Sequence, residues 1–155
     1  MGQRRDGRQA ALQVLYQMDT VGASAEAALS LYWGSLARAD DAPDGLALND
    51  DELPDALDAE TRAFVDRLVR GFGERREEID ATIRSVSHHW RIERMTRVDR
   101  NILRLATCEL MLLDDVPRRV TLNEAIELAK RFGSEGSAGF VNGVLDRIAT
   151  ELQKE

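Results

Sequence analysis

Arg4, Arg5 and Arg8 lie just ahead of an apolar pattern with helical spacing. The first N–H groups of a helix have no partner within it, so that end already carries a partial positive charge. Three arginines there are locally unfavourable unless an anion, such as a phosphate, joins them. The amino terminus is therefore one candidate for binding a phosphate backbone, and a solubilising tail is the alternative.

A second polar group, in the middle of the chain, consists of Arg97, Arg100, Asn101 and Arg104. Their i, i+3, i+4, i+7 spacing predicts one helix face, opposite an apolar one. Arginine can grip a phosphate with two hydrogen bonds, and asparagine can read a base edge. This stripe is a second candidate contact with nucleic acid, unless it is an exposed face that binds nothing specific.

The segment "KRFGSEGS", residues 130–137, joins two predicted helices and combines two bases, an aromatic ring and two serine hydroxyls. Single-stranded RNA needs such a mixture, with charge for the backbone, a ring for stacking and short polar groups for base edges. Structural roles are the alternative, with Phe132 filling a core and Ser137 capping a helix.

Patterns typical of catalysis or metal binding do not stand out in the sequence. His88 and His89 are adjacent, so on a helix they point about 100° apart and cannot form the i, i+4 pair of a zinc helix. The single cysteine, Cys108, excludes an internal disulfide and a cysteine-based zinc site. Trp33 and Trp90 are interpreted as core or edge anchors. We therefore predict a protein that is not an enzyme and has no cofactor or metal.

The elements that position these residues are expected to be helices. Of the 155 residues, 43% are hydrophobic and only 5% are aromatic, while Ala, Leu, Glu and Arg are plentiful. This balance favours helix, and no strand pattern interrupts it. The predicted fold is all-α, a compact domain of about seven helices. The apolar runs are too short for a membrane span and the start is unlike a signal peptide, which predicts a cytoplasmic protein.

Apolar spacing predicts helices in the first half of the chain over residues 5–18, 24–37, 59–72 and 74–88. The first of these should face the core with Ala11, Val14, Leu15 and Met18. Ser24 is expected to cap the second helix.

A further helix is predicted over residues 97–113, where Thr96 and Asp99 resemble a capping box at its start. Glu109 lies on the apolar side of this helix. A carboxylate in that position needs a hydrogen-bond partner, so we expect a structural role for it.

The last two helices are predicted from their own capping residues. Thr121 and Glu124 form a capping box for a short helix that ends at Gly133. Ser137 is expected to cap the final helix. Gly143 lies inside that helix, where glycine is costly, so we expect a neighbouring helix to pack closely against it.

Acidic residues are concentrated in one region. Residues 19–60 hold eleven acidic residues and one arginine, a balance of −10 that leaves +3 for the rest of a chain with a formal charge of −7. The global charge therefore says little about the partner. Within this region, residues 38–58, "RADDAPDGLALNDDELPDALD", are rich in Asp and contain two prolines. They are predicted to form an acidic flexible loop.

Three segments carry a family resemblance: "RRDGRQAALQVLYQMD", "RMTRVDRNILRLATCEL" and "DVPRRVTLNEAIELAKRFGSEGSAGFVNGVLDRIA". In this order, they resemble the NusB family of bacterial transcription antitermination factors. The match extends over nearly the whole chain, its last segment is the most specific, and the acidic segment at 38–58 lies outside it.

The resemblance implies a single RNA-binding domain over residues 1–155, built of two packed helical bundles. It implies binding to the boxA element of ribosomal RNA leaders together with NusE, a small-subunit ribosomal protein that doubles as a transcription factor. The pair would join RNA polymerase antitermination complexes and suppress termination. The resemblance leaves the oligomeric state undecided between a monomer and a homodimer, because some family members form a homodimer that covers the RNA surface.

The resemblance also assigns sites. In the family, RNA contacts the arginine-rich start of the first helix and runs over the turn here at residues 130–140, while the NusE-facing surface matches Tyr16 and Asp99. Together with the arginine stripe, the residues predicted to bind RNA are Arg4, Arg5, Arg8, Arg100, Asn101, Lys130, Phe132, Ser134, Ser137 and Phe140. The chain departs from the family pattern at Gly7, usually alanine, and at Gly136, usually an acid.

Two other functions are weighed against this one. The RNA-binding domain attached to ribosomal RNA cytosine methyltransferases shares the fold, and a stand-alone relative of it is the main alternative. Those proteins continue into a large α/β catalytic domain, which is not expected here because the chain ends at Glu155. A purely structural helical adaptor would explain the helices but not the placement of the arginines.

Overall fold

The computed structural model describes residues 2–35, 57–88 and 90–154. Within these ranges the chain forms helices and no strand, which confirms the all-α prediction. The elements are α1 (Gly2–Val21), α2 (Ala25–Ser35), α3 (Ala59–Val86), a 3-10 turn (Ile92–Arg94), α4 (Arg97–Leu112), α5 (Arg118–Phe132) and α6 (Ser137–Glu151). They divide into an amino-terminal unit, Met1–Arg70, and a carboxy-terminal unit, Gly71–Glu155.

In the amino-terminal unit, α1 packs against α2. The apolar side chains predicted to face inward from α1 (Ala11, Val14, Leu15 and Met18) are all buried. The helix is longer than predicted at both ends, because it begins at Gly2 and ends at Val21. Ser24 caps α2 as predicted, since its hydroxyl oxygen accepts a hydrogen bond of 3.2 Å from the N–H of Ala27.

Helix α3 contains the two helices predicted over 59–72 and 74–88, which join across a kink. Arg75, with φ −112° and ψ 17°, departs from helical geometry and marks this kink. Gly71 has a packing role, since a Cβ there would collide with the Leu112 side chain of α4. Asp58, which the sequence placed in the loop, caps α3 because its carboxylate accepts the N–H of Thr61 at 2.8 Å. Hydrogen bonds from the backbone and the side chain of Thr61 lower the pKa of Asp58.

In the carboxy-terminal unit, α4, α5 and α6 pack on one another. The Thr96 hydroxyl accepts the N–H of Asp99 at 3.1 Å, which confirms the predicted cap of α4. The predicted start of α5 at Thr121 is wrong, because Pro117, with φ −63°, lets the helix begin at Arg118. The Thr121 hydroxyl instead donates to Oε1 of Glu109 at 3.1 Å. Glu109 is buried, so this bond supplies the structural partner that its position requires.

The junction of α5 and α6 differs from the prediction in detail. Gly133 ends α5 with φ −85°, which any residue can adopt. Glycine is therefore required there because a side chain would not fit, and not because the backbone is left-handed. A Cβ there would lie 2.6 Å from the Ala129 carbonyl oxygen and from the Ser137 hydroxyl. Ser137 is the first residue of α6 and does not cap it, because its hydroxyl accepts the N–H of Ser134 at 3.0 Å. The residue before α6 is Gly136, with a left-handed φ of 90°.

The expectation that a neighbour packs closely against Gly143 is wrong. Gly143 is exposed on α6, and nothing lies within 4 Å of the place a Cβ would take. The apolar face of α6 is carried by other residues, all buried: Val141, Val144, Leu145 and Ile148.

The predicted acidic loop lies outside the described residues, except for Leu57 and Asp58. Its flexibility and the assignment of residues 1–155 to a single domain therefore stay predictions. Among the helices that the structure describes, none is long and apolar enough to cross a membrane.

Candidate nucleic-acid interface

The start of α1 presents two exposed arginines, Arg4 and Arg5, and its first turn contains no acidic residue. The Arg4 guanidinium carbon lies 5.0 Å from the centroid of the Phe64 ring on α3. This distance allows a cation–π interaction, which attracts the charge to the ring without consuming the N–H donors of the guanidinium. Arg4 can therefore stay ordered and still offer its donors to a phosphate.

Arg8 differs from the other two because it is only 5% exposed. Its guanidinium carbon lies 5.6 Å from the centroid of the same Phe64 ring. The prediction that all three arginines precede the core is therefore wrong for Arg8, which packs within the amino-terminal unit.

Contacts with α3 hold the start of α1 in place. The Thr61 hydroxyl donates to Oε1 of Gln3 at 3.0 Å. A Cβ at Gly7 would lie 3.1 Å from both Phe64 and Thr61, so the glycine permits a close approach of the two helices. The arginines thus project from a docked helix, which does not fit the alternative of a loose solubilising tail.

The second arginine stripe does not form the exposed face that its spacing predicts. Asn101 is 0% exposed and Arg104 is 5% exposed, so the expectation is wrong for both. Arg104 donates from Nε and Nη2 to the two carboxylate oxygens of Asp80, at 2.9 and 3.0 Å. A bidentate buried pair of this kind satisfies the guanidinium and leaves it unavailable to a phosphate.

Asn101 is bonded within the same cluster. Its Nδ2 donates to the Arg97 carbonyl oxygen at 2.8 Å, and its Oδ1 accepts from Nη1 of Arg104 at 3.3 Å. The Asn101 amide therefore orients Arg104. Because Asn101 is buried, its amide cannot contact a base edge in this arrangement.

The other two members of the stripe also differ from each other. Arg97 is exposed at the start of α4. Arg100 is partly buried, and its Nη1 donates to the carbonyl oxygens of Ile92 and Met95 at 3.1 and 3.4 Å. Arg100 therefore holds the 3-10 turn against α4, so its proposed contact with RNA would compete with these bonds.

Asp99, predicted to face NusE, lies beside these arginines and is partly exposed. Its Oδ1 atom is buried and accepts no hydrogen bond from the part of the chain that the structure describes. A buried carboxylate oxygen without a donor is costly, whereas the exposed part of the Asp99 side chain is what a partner could reach. Tyr16, the other residue predicted to face NusE, is partly exposed on α1.

The turn over residues 130–137 offers a mixture of exposed and occupied groups. Lys130 is exposed and its Nζ lies 3.7 Å from Oε1 of Glu127, a distance typical of a weak surface pair. Phe132 is partly buried, with the Arg131 guanidinium carbon 5.3 Å from its centroid. Ser134 is exposed, whereas Ser137 is buried and accepts the N–H of Ser134. Lys130 and Ser134 are therefore the predicted residues of the turn that a ligand can reach directly.

An aromatic pair lies beside this turn in the same unit. Phe140, on the first turn of α6, is partly buried, and its ring centroid lies 5.9 Å from that of Trp90 at an interplanar angle of 74°. Trp90 is 59% exposed, so it is not a core anchor. The signal that could have found it is its polar surroundings, "SHHWRIER", in which Ile92 is the one other apolar residue.

The titratable groups give no sign of a catalytic centre in the described ranges. Burial raises the pKa of the Cys108 thiol to about 12, so this cysteine is not a nucleophile near neutral pH. No cluster of three metal-ligating side chains occurs among residues 2–35, 57–88 and 90–154.

Comparisons with known proteins identify the arrangement. A model of the NusB family matches residues 5–150. The transcription antitermination protein NusB of Myxococcus xanthus is 46% identical over 154 residues, 99% of each chain. The NusB of Sorangium cellulosum is 47% identical over 152 residues, 98% of this chain and 95% of the relative.

Solved structures show the same fold. A structure of T. maritima NusB has a TM-score of 0.71 and 37% identity, covering 96% of this chain and 91% of that one. A chain in the crystal structure of the antitermination factors NusB and NusE in complex with double-stranded RNA has a TM-score of 0.73 and 27% identity, covering 97% and 98%.

Proposed function

Because the chain belongs to the NusB family, we propose that it is a transcription antitermination factor that binds boxA-containing RNA together with NusE. The observation that carries the proposal is the exposed arginine pair, Arg4 and Arg5, at the start of a docked helix without acidic residues in its first turn. An RNA backbone supplies the anions that such a helix start lacks.

The proposed RNA-binding residues fall into two groups according to exposure. Arg4, Arg5, Lys130 and Ser134 are exposed and can contact the backbone or bases directly. The partly exposed rings of Phe132 and Phe140 can stack on bases.

The other predicted residues would act from within the protein. Arg8, Arg100, Asn101 and Ser137 already make contacts inside their units. We propose that they fix the backbone and the side chains next to the RNA, and that a direct contact requires them to exchange a partner.

For the protein partner, we propose that NusE contacts Tyr16 in the amino-terminal unit and Asp99 in the carboxy-terminal unit. The partial exposure of Asp99 and Tyr16 supports this, because a partner can reach both side chains. The related structure of NusB and NusE with RNA shows that a protein of this fold can assemble with both partners.

The chain is proposed to act by binding alone, in the cytoplasm, as a component of RNA polymerase antitermination complexes. Curated relatives that cover 99% and 98% of the chain are named as antitermination proteins, which supports this assignment over a catalytic one. A stand-alone relative of the methyltransferase RNA-binding domain would share the RNA contacts but would not need NusE.

A binding titration tests the proposal. Fluorescently labelled boxA RNA, a shuffled single strand and a boxA duplex are each titrated with the protein at several salt concentrations, with and without NusE. We expect the boxA single strand to bind most tightly, with NusE increasing the affinity and salt decreasing it. Equal affinity for the boxA and shuffled strands with NusE present would contradict the proposal. Tighter binding of the duplex than of the boxA single strand would contradict the part of the proposal that makes the ligand single-stranded.

A further inference from the structure

Trp90 is an exposed aromatic side chain to which neither the family resemblance nor the predicted RNA site gives a role. Its exposure of 59% places it, with Val21 and Leu31, among the large apolar side chains most open to solvent in the described residues. Unlike those two aliphatic side chains, Trp90 has an aromatic neighbour. The edge-to-face contact with Phe140, at 5.9 Å, makes a surface of two rings.

Backbone contacts hold the turn that carries Trp90 in position. The N–H of Trp90 donates to the Ser87 carbonyl oxygen at 3.0 Å, which closes a turn after α3. On α6, Nη1 of Arg147 donates to the Val86 carbonyl oxygen at 3.4 Å, joining that turn to the helix that carries Phe140. A ring that is carried on an ordered turn and packs against Phe140 loses less conformational freedom when a ligand binds to it.

The charge around Trp90 favours an anionic partner. Between residues 87 and 97 the chain contains three arginines, Arg91, Arg94 and Arg97, and one acid, Glu93. All three arginines are exposed, whereas the Glu93 carboxylate accepts a hydrogen bond of 3.0 Å from Arg84. Exposed rings surrounded by arginines are the combination that binds single-stranded nucleic acid.

We propose that Trp90 and Phe140 form a stacking platform for one unpaired base of the bound RNA. The exposed surface of Trp90 contacts the base, and Phe140 fixes the orientation of the Trp90 ring. Every base has a planar face, so the platform contributes affinity and register rather than sequence preference. This inference rests on the proposed function, since it names a further contact with the same ligand.

A scan of RNAs with one abasic nucleotide at each position tests the platform. Wild-type protein should lose affinity at one position by between about 5- and 150-fold, the range for loss of a stacked base. Trp90→Ala should lose a similar factor on intact RNA but nothing more when that position is abasic, which is the coupling expected of direct contact. Trp90→Phe should keep most of the affinity, and the salt dependence should not change because no phosphate contact is lost.

Two controls separate this contact from a loss of folding. Leu31→Ala removes a side chain that is 61% exposed in the amino-terminal unit, and it should bind every RNA like the wild type. In a Trp33→Phe background Trp90 is the remaining tryptophan, so RNA should quench its fluorescence, and circular dichroism checks the helix content.

The possible results distinguish the platform from the function on which it rests. Normal RNA affinity of Trp90→Ala, or equal loss at every abasic position, would overturn the platform while leaving RNA binding established. Loss of NusE binding with unchanged RNA binding would assign Trp90 to a protein interface and also overturn it. Failure of the wild type to bind boxA RNA would overturn the proposed function and the platform together.

Discussion

At the scale of single residues, burial separates arginines that the sequence places in similar patterns. Arg4 and Arg5 project into solvent, whereas Arg8 is nearly buried against Phe64. Arg104 uses its guanidinium on Asp80. A guanidinium has five N–H donors, and those engaged by a buried carboxylate are not available to a phosphate. Exposure therefore decides which arginines contribute to the salt dependence of RNA binding.

The paired substitution Arg4→Ala and Arg5→Ala should weaken RNA binding without changing the fold. Each phosphate contact on a single strand contributes about 0.7 to the slope of log affinity against log salt, so the slope should decrease by up to about 1.4. Binding is measured across a salt series, with Arg119→Ala, an exposed arginine on α5, as the control. An unchanged slope would show that neither side chain meets a phosphate.

Arg8→Ala should behave differently because Arg8 is 5% exposed and stacks on Phe64. Loss of that contact should lower the free energy of unfolding by roughly 1 kcal/mol, in addition to any effect on RNA affinity. Urea unfolding of Arg8→Ala and of the wild type provides the comparison. Equal stability of the two proteins would argue that the stacking of Arg8 contributes nothing.

Asp99→Lys should cripple NusE binding and leave RNA binding equal or slightly stronger. A like-charge contact at a protein interface can cost several kcal/mol, whereas an added positive charge favours RNA. Asp99→Asn is the matched control, because it removes the charge but keeps the size and the N–H bonded to Thr96. The variants are titrated separately with NusE and with RNA after circular dichroism confirms the helices. Normal NusE affinity of Asp99→Lys would place the partner on another surface.

At the scale of elements, contacts with neighbours determine where helices begin and end. Pro117 starts α5 before the predicted capping box, and Thr121 from that box bonds Glu109 on α4. The two helices predicted before residue 88 join across a kink at Arg75 within α3. Local signals predict that helices exist, but the bonds available to each terminus decide their limits.

Substitution by alanine at two glycines, Gly143 within α6 and Gly133 before it, should change the free energy of unfolding in opposite directions. Gly143→Ala should raise the free energy of unfolding by about 1 kcal/mol, because the site is helical and open and alanine is the better helix former. Gly133→Ala should lower it, since the new Cβ would lie 2.6 Å from a backbone oxygen. Urea unfolding monitored by circular dichroism measures both. Destabilisation by Gly143→Ala would mean that the surface there is not open.

At the scale of the whole molecule, the acidic region sets the net charge while the candidate RNA surfaces are basic. The seven acidic residues between positions 40 and 56, a segment without a base, equal the whole formal charge of −7. Long-range repulsion from such a segment slows the approach of a polyanion at low salt. It has little effect on contacts that are already formed.

Replacing residues 40–56 by a Gly/Ser linker of the same length should therefore bring the formal charge to 0. We expect unchanged helix content, nearly unchanged RNA affinity near 0.15 M salt, and faster association with RNA at low salt, since the Debye length is about 8 Å at the higher concentration. Stopped-flow association and thermal unfolding are the measurements. Loss of cooperative unfolding would show instead that Leu46, Leu48 or Leu53 contributes to the core.

The sequence by itself determined the all-α class, the inward face of α1, the caps at Ser24 and Thr96, and the need of Glu109 for a partner. These features depend on periodicity and on residues close together in the chain, which a sequence displays directly. The placement of positive charge at the start of α1 is of the same kind. The segments resembling the NusB family added the predicted partners.

Only the tertiary structure decided which charged and aromatic residues are exposed. Asp80 is 24 residues from Arg104 in the chain, yet it binds that arginine and removes it from the predicted RNA stripe. Trp90 and Phe140 are likewise distant in sequence and adjacent in space. Helical spacing tells which residues share a face, but not what covers that face. Burial depends on segments that meet only when the chain folds, and so it is not readable from the pattern of one helix.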